Sequence, residues 1–330
     1  MEIRQSKLTR EWIIFAPERA RRPRDFKKKE KKKKETPEYD ENCPFCAGNE
    51  DKLIHSFIME TPGIGGNPWQ TRVLPNKYPA LVPDKNVTRG VEGIYLRMPA
   101  YGKHELIVEH PKHNICIGKM NLEGVKTVVE TYWMRYNELL KDKRNMMVLI
   151  FQNHGARAGA SIIHPHSQII ATGMVPLLLR VHEEESQQYF DNLGRCVMCD
   201  ILKFEESHKE RLILENDSFL SFVPYAAEVP YELWIVPKEH KASFGDISRE
   251  EMTKFAAILH GVMNRLYNKL DDPDYNYIVI SGTRYKAGEP HLHWYLRVRP
   301  RLTTRAGFEI GSGISINPSL PEKDAEYLKG

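Results

Sequence analysis

Asn153-His154-Gly155-Ala156-Arg157-Ala158-Gly159-Ala160-Ser161-Ile162-Ile163-His164-Pro165-His166-Ser167-Gln168 joins a glycine- and serine-bearing loop to a run with polar side chains at every second position. Successive side chains of a strand point to opposite faces. His164, His166 and Gln168 are therefore expected on one face of a strand that continues into Ile169 and Ile170. The loop can bring backbone N–H groups close to an anion. Two imidazoles and an amide beside it point to a site that handles phosphate. An isolated His-x-His pair is more often two satisfied core histidines, and the rest of the chain decides between the readings.

The chain repeats the pattern that ends in this run. Cys43-Pro44-Phe45-Cys46 is followed by Glu105-Leu106-Ile107-Val108, a predicted strand, and by His113 eight residues after Glu105. Cys196-Val197-Met198-Cys199 is followed by Glu232-Leu233-Trp234-Ile235-Val236 and by His240, again eight residues after its glutamate. A helix follows each histidine. The first runs from about Asn121 to Lys141, with Val125, Val128, Val129, Tyr132, Tyr136 and Leu139 at helical spacing. The second opens on the capping box Ser248-Arg249-Glu250-Glu251 and carries Met252, Phe255, Ile258, Leu259, Val262 and Leu266. An apolar strand comes next, 146–151 or 277–280, and then a His-x-His strand, His164-Pro165-His166 or His291-Leu292-His293. The shared order predicts a duplicated α+β chain, with halves at 1–190 and 191–330. Each half is expected to be an antiparallel sheet with a long helix on one face, and the two sheets to join into a larger one.

The 330 residues suffice for a large core. Apolar content of 41% and charged content of 28% are those of a soluble globular protein. No apolar run reaches the roughly 20 residues that span a bilayer, and Met1-Glu2-Ile3-Arg4-Gln5 has no secretory h-region, so a cytoplasmic protein without a membrane partner is expected. Much of the net charge of +4 sits in Lys27-Lys28-Lys29-Glu30-Lys31-Lys32-Lys33-Lys34. Read with the CxxC pairs, this run makes a zinc-ribbon nucleic-acid-binding protein the alternative outside enzymes. No aromatic residues interleave with it for base stacking, and such a protein has no use for the HPHSQ strand, so a solvated loop is expected and no nucleic-acid partner.

Four of the five cysteines form the two CxxC pairs. In a cytoplasmic chain this spacing favours metal ligation over disulfides. The first set is Cys43, Cys46, His113 and His164, which leaves His166 free for chemistry. The second is Cys196, Cys199 and His240 with either His291 or His293. His240 to His291 repeats the 51-residue separation of His113 and His164, which favours His291. Two zinc ions per chain are expected. Cys116, in an apolar stretch, is expected to be a buried, inert thiol.

HPHSQ after the Asn-…-Gly-Ala-Ser loop, with CPFC upstream, resembles the galactose-1-phosphate uridylyltransferase family, a branch of the histidine-triad superfamily. The resemblance begins at Trp12-Ile13-Ile14-Phe15-Ala16-Pro17-Glu18-Arg19-Ala20-Arg21-Arg22-Pro23, continues through Val73-Leu74-Pro75-Asn76-Lys77-Tyr78, and ends with Ala306-Gly307-Phe308-Glu309-Ile310. It implies two histidine-triad-like repeats and a ping-pong transfer, galactose 1-phosphate taking a uridylyl group from UDP-glucose through a uridylyl-His166 intermediate. It implies Gln168 as a neutral donor to a phosphoryl oxygen, where the superfamily's hydrolases usually carry histidine. It further implies nucleotide contacts from Arg19, Arg22, Asn76 and Asn153, an α-phosphate cradle of Gly159, Ala160 and Ser161, and a hexose-holding segment of Gly307, Phe308 and Glu309. Family members are usually dimers, so a homodimer is expected.

The sequence departs from the family in one respect. Some members hold a second metal with one glutamate and three histidines. Here that glutamate falls at or near His182, beside Glu183; the strand 277–280 has no histidine, and the last histidine position is Tyr295. The resemblance implies that the second CxxC site takes its place, as in plant members that act as ADP-glucose phosphorylases. Those carry a sequence like His293-Trp294-Tyr295, which favours His293 as ligand, makes ADP-glucose phosphorylase the alternative activity, and makes the second half structural.

Overall fold

The computed structural model describes residues 1–21, 36–54 and 56–330. The lysine run and Arg22 lie outside the described residues. Strands are β1 (Glu2–Gln5), β2 (Trp12–Phe15), β3 (Met59–Pro62), β4 (Trp69–Pro75), β5 (Gly90–Glu92), β6 (Tyr95–Arg97), β7 (Gly102–Val108), β8 (Met147–His154), β9 (His166–Thr172), β10 (Leu212–Glu215), β11 (Phe219–Phe222), β12 (Leu233–Pro237), β13 (Tyr275–Ile280), β14 (Tyr295–Pro300) and β15 (Ser315–Asn317). Helices are α1 (Leu122–Lys141), α2 (Leu177–Leu193), α3 (Val197–His208), α4 (Arg249–Lys269), α5 (Gly307–Ser312) and α6 (Pro321–Lys329).

The duplicated order of the sequence becomes a mirrored strand order. Ten strands form one antiparallel sheet, β10-β11-β12-β14-β13-β8-β9-β7-β4-β3. β8 and β13, which follow the long helices, pair at its centre, with Asn153 opposite Asn276. On either side lies the strand that follows the His-x-His motif: β9 between β8 and β7, β14 between β13 and β12. β9 is thus hydrogen-bonded along both edges, Val108 opposite His166 and Phe151 opposite Gln168. An interior strand holds a reacting side chain more rigidly than a loop.

α1 and α4 form because their apolar residues recur at helical spacing and their first turns are capped. Asn121 accepts from the Gly124 N–H at 2.8 Å, and Ser248 and Glu251 close the capping box; each cap is worth about 1 kcal/mol. All twelve apolar positions read from the two periodicities are buried. The two helices pack against each other and against one face of the sheet, so both halves share a single core. No helix among the described residues is long and apolar enough to cross a membrane.

A separate three-stranded sheet, β1-β2-β15, joins the two ends of the described chain. The His-x-His motifs differ from expectation. β9 begins at His166 and β14 at Tyr295, so His164 and His293 precede their strands and do not share a strand face with the residues of β9 and β14. Pro165 lacks the N–H that would extend the ladder; its carbonyl accepts instead from the Glu109 N–H at 3.3 Å.

Directly behind β9 lies a buried carboxylate. Glu109 accepts from Tyr132 Oη (2.6 Å), Gln152 Nε2 (2.6 Å), Tyr277 Oη (3.1 Å) and the Ser167 hydroxyl. Burial pushes its pKa up, against these donors. Glu109→Ala is expected to cost about 3 kcal/mol, because it strands buried donors from four elements. The shift of the denaturant midpoint measures this.

Candidate active site and metal centres

His166 stands on the first residue of β9 and is 6% exposed. Its Nδ1 lies 2.8 Å from the His164 carbonyl, which fixes the tautomer: Nδ1–H donates and Nε2 keeps its lone pair. Burial holds the imidazole below its ordinary pKa, so it is neutral near pH 7. The Phe45 ring, from the first CxxC turn, packs edge-on against it at 5.5 Å. The geometry is that of a neutral nitrogen nucleophile with a backbone carbonyl ready to stabilise the charge it gains on attack.

Gln168, two residues along the same face, is held by a residue the sequence reading missed. The Ala80 N–H donates to His104 Nδ1 at 3.2 Å, so the ring proton sits on Nε2. That N–H donates to Gln168 Oε1 at 2.8 Å and leaves the Gln168 NH2 group as the free donor end. Asn76 adjoins the same ring, its Nδ2 3.1 Å from Nε2. His104 is diagonal to Gln168 across β7 and β9. Only the strand order reveals that neighbour.

The glycine loop is tied to the second half. The Asp274 carboxylate accepts from the Arg157 N–H at 2.6 Å, and a Cβ on Gly155 would meet it at 2.3 Å, so glycine is required there. Asn153 accepts from Asn276 Nδ2 at 2.8 Å, and the same amide reaches the Ala158 carbonyl at 2.9 Å. The expected cradle changes accordingly. The Gly159 and Ala160 N–H groups donate within the loop, to the carbonyls of Ala156 and Gly155 (both 3.2 Å), because a 3-10 turn at Ala156–Ala158 curls the loop on itself. Of the three residues only Ser161, which is exposed, keeps its donors available among the described residues. A cavity of about 950 Å³ opens beside the loop; its lining includes Asn153, Ala160, Ser161 and Pro165 and stops one residue short of His166.

Arg19 and the segment of Gly307, Phe308 and Glu309 lie apart from this strand. Arg19 is in a 3-10 turn, Pro17–Arg21, that follows β2, and α5 precedes β15, the parallel neighbour of β2. Glu309 accepts from the N–H groups of Ala306 (2.9 Å) and Ile316 (3.3 Å), so its carboxylate caps its own helix; Phe308 is half exposed. No hydrogen bond, ion pair or ring contact among the described residues joins these residues to β9.

Cys43, Cys46, His113 and His164 converge with all ligand atoms within 4.8 Å of one another, and all four are buried. His164 Nδ1 lies 3.6 Å from both sulfurs, and His113 Nδ1 3.5 Å from Cys46 Sγ. A tetrahedral zinc with Zn–S of about 2.3 Å and Zn–N of about 2.05 Å has S–N edges of about 3.6 Å. His164 Nε2 donates to the His110 carbonyl at 2.7 Å, which turns Nδ1 inward. Burial pushes the His164 pKa down to about 4, leaving a neutral ring able to ligate.

The second cluster repeats the first. Cys199 Sγ lies 3.4 Å from His240 Nδ1 and 3.6 Å from His293 Nδ1, Cys196 completes the set, and His293 Nε2 donates to the Pro237 carbonyl at 2.9 Å. The histidine rings cross at 86° here and at 88° in the first cluster, 5.2 Å apart in both. His291, favoured by equal spacing, lies outside the cluster. The strand-to-strand connection runs over 281–294 in this half against 155–165 in the first, and the added residues shift the register. His291 is buried, with no hydrogen-bond partner on either ring nitrogen. At the departed Glu/His position, Glu183 accepts from the Thr283 N–H (3.3 Å) and faces Lys286 (3.5 Å), and Tyr295 packs on Trp234.

Residues 1–176 match the model of the galactose-1-phosphate uridyl transferase N-terminal domain, and residues 182–311 that of the C-terminal domain. The ADP-glucose phosphorylase of Arabidopsis thaliana is 32% identical over 99% of this chain and 92% of its own length. The galactose-1-phosphate uridylyltransferase of Thermotoga maritima is 29% identical over 100% and 98%. A crystal structure of an ADP-glucose phosphorylase from Arabidopsis thaliana with bound ADP-glucose superposes with a TM-score of 0.84 at 30% identity, covering 99% of this chain and 97% of that one.

Proposed function

Because the chain belongs to the galactose-1-phosphate uridylyltransferase family and is a nucleotidyltransferase, we propose that it exchanges a uridylyl group between UDP-glucose and a hexose 1-phosphate through a covalent His166 intermediate. The observation that carries this reading is the His166 geometry: a buried neutral imidazole, Nδ1–H on the His164 carbonyl and Nε2 unengaged.

Nε2 forms a bond to the α-phosphorus as the bond to the β-phosphate oxygen breaks, and glucose 1-phosphate leaves. A phosphate oxygen of galactose 1-phosphate then displaces the imidazole at the same phosphorus. Each half-reaction is one displacement, and two inversions give net retention. The Gln168 NH2 group, pointed by His104, donates to a phosphoryl oxygen; an amide cannot activate water as a base, which favours transfer over hydrolysis. The first half, 1–190, carries the chemistry, and 191–330 buttresses it. The Cys43, Cys46, His113, His164 cluster and the Cys196, Cys199, His240, His293 cluster fit zinc. A zinc ion held there would supply a structural brace rather than chemistry; in the first half Cys43, Cys46, His113 and His164 would tie down the turn whose carbonyl orients His166.

Arg19 and Glu309 lie beside the small sheet, in the turn after β2 and in α5, and its neighbourhood exposes Ile3, Trp12, Phe308 and Ile310. These exposed apolar side chains support a homodimer in which the sheet completes the partner's site. A second reading, ADP-glucose phosphorolysis by the same mechanism, is favoured by the 32% identity and the second Cys/His cluster.

The two are separated by incubating the protein with base-labelled UDP-glucose and, in parallel, ADP-glucose, then adding galactose 1-phosphate or phosphate. Protein-bound UMP discharged by galactose 1-phosphate supports the uridylyl reading; labelling by ADP-glucose alone overturns it. His104→Phe keeps a planar aromatic ring and removes the Nε2–H. It is expected to lower kcat about tenfold at near-constant KM, a misplacement effect, measured by steady-state kinetics.

A further inference from the structure

A third group of metal-ligating side chains lies outside both CxxC clusters. Cys116, His154 and Asp272 place one ligand atom each within 4.8 Å of one another. They come from three separate segments: the turn before α1, the end of β8, and the turn after α4. The site therefore sits at one end of the central seam where the two halves meet. Cys116 is buried; His154 and Asp272 are partly exposed. The His154 ring is stacked on Tyr275 at 4.8 Å and 18°, which fixes its plane and directs Nε2 onto Asp272 Oδ1 at 2.7 Å.

We infer that Cys116, His154 and Asp272 hold a third divalent cation of zinc chemistry, with its remaining coordination position open. One thiolate, one imidazole and one carboxylate are ligands zinc accepts, and three protein ligands plus an exchangeable fourth is its open-site arrangement. The charges balance: a thiolate and a carboxylate neutralise a dication, and the thiol proton leaves as the metal enters. All three residues line the cavity of about 950 Å³ that also reaches Ser161 and Pro165, so the open position faces solvent and a ligand with a free oxygen. Asp271 and Asp274 line the same cavity. Carboxylates so placed are poor company for a phosphate alone and good company for a cation.

The site is weaker than the other two. Their S–N distances already equal tetrahedral edges, whereas the His154–Asp272 pair, at hydrogen-bond length, must spread by about 0.6 Å to reach the N–O edge of a zinc tetrahedron. The third ion is therefore expected to exchange first. Its binding does not depend on the nucleotidyl-transfer reading.

The test is metal content of the full-length protein after dialysis against micromolar free zinc. Wild type is expected to hold one more zinc per chain than Asp272→Asn or Cys116→Ser. The difference is independent of how many ions the CxxC clusters retain. Equal counts in wild type and folded Asp272→Asn overturn the site. Brief chelation is expected to empty the third site alone, and cobalt added to that protein, with both tightly held zinc ions still in place, is expected to give a saturable thiolate-to-cobalt absorption that a second brief chelation removes. No such absorption overturns the site without recourse to any variant.

Discussion

His166→Gly is expected to lower nucleotidyl transfer by about 10⁴-fold or more while leaving the fold in place. The size reflects the role. A covalent route lost entirely leaves direct attack of one phosphate ester on another, and both are anionic and repel. Binding contacts remain, so nucleotide-sugar affinity is expected to change little. The fold survives because His166 contributes one ring to an interior strand already bonded on both edges. Its Nδ1–H bond to His164 is local. Single-turnover rates and a thermal melt measure the two halves of the expectation. Turnover within about tenfold of wild type removes His166 as the nucleophile.

Cys46→Ala is expected to remove one metal ion per chain, to cost about 5 kcal/mol or more, and to abolish transfer. Cys46 Sγ contacts both His113 Nδ1 and His164 Nδ1, so its loss removes the sulfur that both histidines face. Structural zinc binding contributes about 10 kcal/mol or more in small zinc domains. The loss reaches catalysis because the His164 carbonyl orients His166, and Phe45, inside the same CxxC turn, packs on both rings. Cys199→Ala provides the contrast. It removes a comparable ion but touches no residue of β9, so transfer is expected to persist at temperatures where the variant is folded. Metal analysis, melting temperature and activity of the two variants measured together separate brace from chemistry.

The duplication was legible because local order survives in sequence. Two CxxC pairs, two glutamate-to-histidine spacings of eight and two helical periodicities each report on neighbours a few residues apart. The start of α4 was legible because Ser248 and Glu251 form a capping box with a local mechanism; the start of α1 was legible only approximately, and the structure shows Asn121 as its cap. What was not legible depends on long-range pairing. His104 becomes a partner of Gln168 only because β7 lies beside β9. The buried Glu109 gathers donors from α1, β8, β9 and β13, separations of 23 to 168 residues. The β1-β2-β15 sheet joins segments some 300 residues apart, and Arg19 and Glu309 lie beside it, in the turn after β2 and in the short helix before β15.

Local spacing also misleads in places, for physical reasons. His164 was read on the strand face with His166 and Gln168, but Pro165 delays the ladder and the His164 ring turns to the sulfurs. The resemblance implies a phosphate cradle in which Gly159 and Ser161 donate, but the loop closes on itself and uses the Gly159 N–H, leaving Ser161. Spacing alone chose His291; the longer connection before β14 places His293 at the sulfurs instead.

The central claim is that a nucleotide is carried on one named nitrogen-bearing side chain. The direct measurement is to quench the protein during turnover with base-labelled UDP-glucose, digest it at alkaline pH, and locate the label by peptide mass mapping. Label that is stable to base, labile to acid and confined to the peptide containing His166 is expected. Label on a different residue, or turnover with no covalent nucleotide at any time after mixing, would contradict it.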